Sequence, residues 1–339
     1  MKITIKDIAK ECGVSVATVS LALSDKPSRV AEKTKKLVRE VAEKYNYQPN
    51  NAAVSLVSKK SKLIGIVFND LRNSHISSLF MEINSELEKR GFSMVCHIVD
   101  DSDNDINVLH RIAGENISGL IWAKSYALDQ EAFDVLDINV QRLGIPVLTM
   151  DDYDFHCAGV NVLYDYYEGG YLATKHLIEL GHEKIGCLTG IRSFNVTEAR
   201  YKGYRKALEE YGLPYDLELV YEGDYTMESG YQALSYLKGK GVTAIFSMND
   251  EMAFGIYRAA RAYGMSIPND VSVVGFDDVP FSDVLEVPLT TIKVPVNQMG
   301  TYIGNTLAEY VGKGGAKKRK SIVYKPQLLI RGSTKKKED

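Results

Sequence analysis

The chain holds few residue combinations that could make or break bonds. Two pairs of adjacent acids, Asp151–Asp152 and Asp277–Asp278, suggest carboxylate chemistry at first sight. Adjacent residues on a strand point to opposite faces, so neither pair forms a natural acid–base couple. The four cysteines (Cys12, Cys96, Cys157, Cys187) lie far apart, with no CxxC and no Cys/His pairing. They read as buried thiols in a reducing compartment. None of the histidines has metal-ligand spacing; His176 and His182 are six apart, which does not put them on one helix face. There is no nucleophile elbow, Walker loop or zinc signature. What remains is charge. Residues 1–60 contain twelve Lys/Arg against six Asp/Glu, a net +6, in a chain whose net charge is −3, so residues 61–339 sum to −9. A basic head on an acidic body is the asymmetry of a nucleic-acid module joined to a sensor. A second basic run, Lys317–Lys320, is short and has no aromatic neighbours, and it reads as a solvated hairpin tip.

The head must be helical to use that charge. Ile5, Ile8, Ala9 and Cys12 share one helical face, and Thr4 with Asp7 resembles a capping box, so a helix begins near Ile5. Gly13 stops it with a sharp turn. Ser15 caps a second helix, Val16 to Ser24, with Val19 and Leu23 inward and Val16, Ala17, Ser20 and Leu21 outward. Two short helices joined by a tight turn make a helix-turn-helix, whose second helix fits the DNA major groove. Thr34, Leu37, Val38, Val41 and Tyr45 form the apolar stripe of a third helix, which Pro49 ends. The segment NNAAVSLV (Asn50–Val57) is too short to hold a helix alone in water, and is expected to fold only when DNA is present. Ser58–Lys62 reads as a linker.

The body needs more than one core. At 339 residues two or three domains are expected, with an ordinary apolar fraction of 45%. No apolar run approaches the ~18 residues of a membrane span, so no membrane partner is expected. Lys6, Asp7 and Lys10 interrupt any apolar leader, so the cytoplasm is the expected compartment. From Leu63 the pattern is βαβ. Strands are expected at 63–68, 94–99, 119–123 and 146–150, with helices at 74–90, 105–114 and 130–142 between them. The alternation restarts with strands at 184–189, 217–221, 244–248 and 271–276 and helices at 166–180, 196–211, 226–237 and 250–263. Two such series imply two parallel-sheet lobes that bind ligands beyond the carboxyl ends of their strands, with the cleft between them as the default pocket. Near the end, 289–294, a helix over 296–311, and 322–330 return across both lobes, and the tail STKKKED is expected to be disordered.

The motifs IKDIAKECGVSVATVSLALS, YQPNNAAVSL, HLIELGHEKIGCLTG, ARYKGYRKAL, SMNDEMAFG, VSVVGFDD, PLTTIKVPV and LLIRGST follow one another in the order found in the lactose-repressor (LacI/GalR) family. The chain resembles that family over nearly its full length. The resemblance implies an α/β fold: an N-terminal helix-turn-helix three-helix DNA-binding domain (1–49), a hinge helix and linker (50–61), then two Rossmann-like lobes of periplasmic-binding-protein type (62–333). The N-lobe would take 62–161 and 292–321, the C-lobe 162–291 and 322–333, with a charged tail at 334–339. It further implies a homodimeric repressor on a pseudopalindromic operator, tuned by a small effector, a sugar or sugar phosphate. A corepressor protein is a further possible partner, and no cofactor is expected.

By that resemblance Thr4, Lys6, Ser15, Thr18, Ser20 and Arg29 approach phosphates, which set register rather than sequence preference. Val16, Ala17 and Leu21 occupy base-reading positions. Apolar groups there cannot make bidentate base bonds, so they favour thymine methyls. Asn50, Ala53 and Leu56 belong to the hinge, with Leu56 as the minor-groove wedge. Val54 stands where relatives usually carry arginine. In the effector cleft Arg200 would grip ligand hydroxyls or a carboxylate. Asn249 and Asp277 would complete the grip, Tyr225 would lay its ring against the ligand, and Asn73 and His75 would close the other side. Asp152, where sugar-responsive relatives often have arginine, favours a neutral or cationic ligand edge. Two other classes fit less well. A periplasmic-type sugar-binding receptor calls for an export signal and no basic helical head. A nucleotide-dependent enzyme calls for a glycine-rich loop after the first strand, where this chain has FNDLRNSHISS.

Overall fold

The first helix forms where its caps say it should. In the computed structural model, which describes residues 3–24, 28–47, 61–99, 105–124, 130–151, 155–315 and 318–337, α1 spans Ile5–Cys12. The Asp7 carboxylate accepts from the Thr4 amide at 2.9 Å and from the Thr4 hydroxyl at 2.7 Å, so the reciprocal cap closes with Asp in place of Glu. Gly13 adopts φ 64°, its N–H bonds the Lys10 carbonyl, and the Val14 N–H bonds that of Ala9. These paired bonds satisfy the last carbonyls of the helix and reverse the chain. Ser15 then caps α2 (Val16–Leu23), its hydroxyl accepting from the Thr18 amide at 3.1 Å. Helix α3 (Glu32–Lys44) completes a small core of Ile8, Ala9, Val19, Ala22 and Val38.

The stripes hold only in part. Ala22 is the fully buried partner of Val19, Leu23 packs half-buried against the same core, and Leu37 and Tyr45 are exposed. Tyr45 instead donates its hydroxyl to Glu11 at 3.1 Å, beside Lys44 at 3.3 Å, and so ties the end of α3 to α1.

Residues 62–339 form a separate compact unit. Its strands fall into two sheets. The first has the order β11-β5-β4-β3-β1-β2, with β1 Leu63–Phe68, β2 Ser93–Ile98, β3 Gly119–Trp122, β4 Val147–Met150, β5 Ala158–Tyr164 and β11 Lys320–Tyr324, all parallel. The second has the order β12-β10-β9-β8-β6-β7, with β6 Ile185–Thr189, β7 Val220–Glu222, β8 Ala244–Ser247, β9 Ser272–Asp277, β10 Thr290–Lys293 and β12 Gln327–Leu329. Only β12 runs antiparallel there. The first lobe carries α4 Ser74–Lys89, α5 Asp105–Ala113, α6 Gln130–Arg142 and α11 Val296–Lys313. The second carries α7 Tyr166–Glu179, α8 Asn195–Glu210, α9 Met227–Leu237 and α10 Asp250–Tyr263. Strands this uniformly buried, β3, β4, β6 and β8 among them, belong to sheets covered on both faces.

Strand β5 was not legible as a strand. Residues 151–157 join β4 to its parallel neighbour, far shorter than the dozen or more residues of an ordinary parallel crossover. With β5 in the first sheet, the chain passes between lobes after Tyr164, again after Lys293, and again between Tyr324 and Gln327. Each crossing falls about three residues beyond the expected boundary. Lys318 and Lys320 lead from α11 into edge strand β11 rather than forming a hairpin tip.

The tail also differs from expectation as far as Lys337. Ser333 donates its hydroxyl to the Val273 carbonyl at 2.6 Å and accepts from the Thr290 amide at 2.8 Å. The Lys337 amide donates to Leu180, His176 meets the Thr334 hydroxyl, and His182 meets the Lys335 carbonyl. The two histidines without metal spacing therefore hold the C-terminal strap on the second lobe.

Candidate functional site

In the head, α2 turns an apolar face outward. Val16 is 41% and Leu21 49% exposed, with Ala17 and Ser20 exposed between them. Among the described residues of the head, none covers these side chains. Lys6 and Arg29 are exposed cations. Ser15 and Thr18 pair through their hydroxyls at 2.9 Å, and Thr4 is engaged by Asp7, so these three groups serve the helix starts. Asn50, Ala53 and Leu56 of the hinge, and Asp152 of the cleft, lie outside the described residues.

In the body, the remaining candidates converge on Arg200. It sits on α8, one turn from Thr197, and only 5% of its surface is exposed. Its Nη1 donates to the Met248 carbonyl at 2.9 Å and to the Tyr225 hydroxyl at 3.3 Å. Its Nη2 lies 3.8 Å from Asp277 Oδ1. The guanidinium carbon stands 4.1 Å from the Phe276 ring centre and 4.7 Å from that of Tyr166. Met248, Tyr225 and Asp277 come from the carboxyl ends of β8, β7 and β9, where a parallel sheet presents its ligand side.

Tyr225 is held on every side. Its hydroxyl meets Thr197 Oγ1 at 2.5 Å, its ring stacks on Phe194, and its carbonyl accepts from Asn249 Nδ2 at 3.0 Å. A Cβ on Gly190 would stand 2.0 Å from the ring, so only glycine lets the tyrosine lie there. Asn249 gives its other amide atom to the Met252 N–H as the cap of α10. Both ends of this amide are thus engaged, and it positions Tyr225. The opposite lobe supplies His75, in the first turn of α4, and Asn73, whose side-chain oxygen caps that helix by accepting from the His75 and Ile76 amides.

Electrostatics mark the same place. Burial, with the Arg200 charge adding to it, drives the His75 imidazole down to about 3, so it is neutral at physiological pH. Burial pushes the Asp277 carboxyl upward, and Arg200 opposes that rise. Asp250, behind it, is pushed up to about 6 by burial and accepts from Val279 N, Ser282 Oγ and Thr291 Oγ1. These bonds pin the loop that follows Asp277. Asp278 turns away to Arg331 at 2.6 Å and Lys293 at 3.5 Å. Backbone strain gathers here too: Asp151, Tyr225, Asp277 and Asp278 all have positive φ. Arg200 Nε, Asp277 Oδ1 and His75 Nδ1 are buried side-chain atoms without a hydrogen-bond partner. Such atoms are costly unless something fills the space between them. The sequence did not single out Tyr166, Phe276 or Thr197, and it raised Asp151 only as half of an adjacent acid pair; the i, i+3 spacing of Thr197 and Arg200 was there to be read.

The family description for bacterial regulatory proteins, lacI family, matches residues 4–50, and that for a periplasmic binding protein-like domain matches residues 174–334. The HTH-type transcriptional regulator DegA of Bacillus subtilis (strain 168) is 33% identical over 98% of this chain and 98% of its own. The chain belongs to the LacI family. This LacI-family protein is therefore a DNA-binding transcriptional regulator and not an enzyme. A solved lac repressor dimer, bound to operator and the anti-inducer ONPF, is 28% identical with a TM-score of 0.85, covering 99% of this chain and 100% of that one. A LacI-family regulator from Enterococcus faecium with bound ribose is 27% identical with a TM-score of 0.73, covering 81% of this chain and 100% of that one. No helix among the described residues is long and apolar enough to cross a membrane.

Proposed function

We propose that this regulator represses transcription from the cytoplasm as a homodimer on a pseudopalindromic operator, and that a small carbohydrate held between its lobes sets its grip on DNA. One observation carries the effector reading. Arg200 Nε, Asp277 Oδ1 and His75 Nδ1, from both lobes, are buried without partners beside aromatic walls. Polar atoms flanked by ring faces suit a molecule with hydroxyl edges and C–H faces. The ribose bound by the E. faecium relative supports the same class.

On DNA, the exposed Val16, Ala17 and Leu21 read thymine methyls in the major groove, with Lys6 and Arg29 on the phosphates. Leu56 wedges the central minor groove. Calorimetric and thermal-shift titration of the full chain with a panel of sugars tests the effector reading, because a ligand that binds only the folded state raises its stability. At least one sugar raises the melting temperature of the wild type and fails to do so in Arg200→Ala. A panel that moves neither protein ends the carbohydrate reading.

A further inference from the structure

The first lobe has a basic edge that the head does not account for. The strands of its sheet run parallel, so all begin at one edge, and the helices that lead into them end there. The chain arrives from the head at this edge, where β1 starts, and α11 ends there before β11 begins. Helices α4 and α11 approach closely: a Cβ on Gly304 would stand 2.7 Å from the Glu86 Cβ. Their last turns therefore lie side by side, and Arg90 Nε donates to Asn305 Oδ1 at 2.8 Å.

Exposed cations gather at that junction: Lys62, Lys89, Arg90, Lys313, Lys318 and Lys320. Lys62 Nζ lies 3.2 Å from where a Gly91 Cβ would stand. Lys313 hydrogen-bonds Glu309, and the charges of Lys320 and Arg90 help to hold that carboxyl below its ordinary range. Lys89 pairs with Glu86. Among the described residues Lys62, Lys318 and Lys320 join no ion pair. A cation in the last turn of a helix suits the helix dipole. Lys62, Lys318 and Lys320 stand at strand starts, where no such dipole calls for them.

This edge is positive on a body that sums to −9. Fourteen chain steps separate Tyr47 from Ser61, at most about 50 Å at full stretch, so a head seated on DNA keeps the edge within that distance of the same duplex. An acidic body tethered so close is repelled by DNA unless the side at the tether carries the opposite sign.

We infer that this edge of the first lobe is a second DNA-contacting surface, in which Lys62, Lys318 and Lys320 meet phosphates of the duplex that the head reads. Lysines are point charges without a planar fork, so the surface adds affinity and salt dependence but no sequence preference. The basic run ending at Lys320 lacks the aromatic neighbours that single strands stack on, and a duplex backbone needs none.

The test is fluorescence anisotropy of the full chain with a labelled mixed-sequence duplex of about 40 base pairs, between roughly 50 and 200 mM salt. Each lysine on a phosphate contributes about 0.9 to the slope of log affinity against log salt. The triple variant Lys62→Gln, Lys318→Gln, Lys320→Gln should lose about two or more from that slope, and the same three positions changed to Arg should keep it. A control triple, Lys184→Gln, Lys202→Gln, Lys206→Gln, removes the same charge from exposed positions of the second lobe and should keep the wild-type slope. Thermal unfolding monitors the fold. If the first triple melts early, Lys62→Gln and Lys320→Gln are read singly, each for a loss of about 0.9. A slope equal to wild type in these variants overturns the inference, even where the melting temperature falls, because the lysines then serve stability alone. An equal loss in the control triple also overturns it, because net charge rather than contact then sets the slope.

Discussion

His75 is the residue whose chemistry is most altered by its place. Its nitrogen is taken from water, near a permanent cation, and only 8% of its surface remains exposed. The unfolded chain binds a proton near pH 6.5, whereas the folded one resists it down to about 3. His75 therefore contributes stability that is complete above pH 6.5 and is lost as pH falls toward 3. Each pH unit in that window removes about 1.4 kcal/mol. Denaturant unfolding at stepwise pH values should show His75→Gln losing less stability than wild type between pH 6.5 and 4.5; parallel curves would place the histidine in water. Arg200→Ala leaves Asp277 buried without its cation, at a cost of about 3 kcal/mol. Operator binding by the folded variant should survive, while its response to ligand disappears. Loss of operator binding in a variant with native circular dichroism would contradict that division of labour. Arg200 and Asp277 were legible as candidates through motif order. Asn73 and Asn249 show what motif order cannot convey, because a side chain that caps a helix and one that faces a ligand look alike in sequence.

Elements were legible where their punctuation was strong. Helix α10 runs from the Asn249 cap to the left-handed Gly264, and α4 starts at the Asn73 cap. Strand β5 was missed because the alternation of strand and helix breaks there, and no local pattern announces a parallel neighbour reached through seven residues. The strap to Lys337 was missed because its hold comes from distant partners, Leu180, His182 and Val273. Leu23 faces inward as its spacing says, but it is only half-buried against the head's core, and the small Ala22 takes the fully buried place beside Val19. The turn between α1 and α2 depends on Gly13 at φ 64°, where a Cβ would meet nothing within 4 Å. Gly13→Ala should then cost about 1 kcal/mol from backbone conformation alone, with no steric addition. Thermal unfolding of the full chain checks this; a loss several times larger would mean that the turn packs against something. Gly190→Ala must displace the Tyr225 ring, so sugar affinity measured by calorimetry should fall by about tenfold or more.

The whole molecule joins a head of net charge +6 to a body that sums to −9. Operator affinity should accordingly drop by about a hundredfold or more between roughly 50 and 200 mM salt, as counterions return to the phosphates. A flat response in a filter-binding or anisotropy series would remove phosphate contacts from the account. The coupling between lobes and head is a free energy shared by two ligands, so it must be reciprocal. The decisive measurement is a pair of titrations on one preparation of the full chain. Operator DNA is titrated with and without the sugar found to bind, and the sugar is titrated with and without operator. The account predicts that both affinities change, by the same factor, of about five or more. Operator affinity that stays constant while the sugar saturates its site would contradict it.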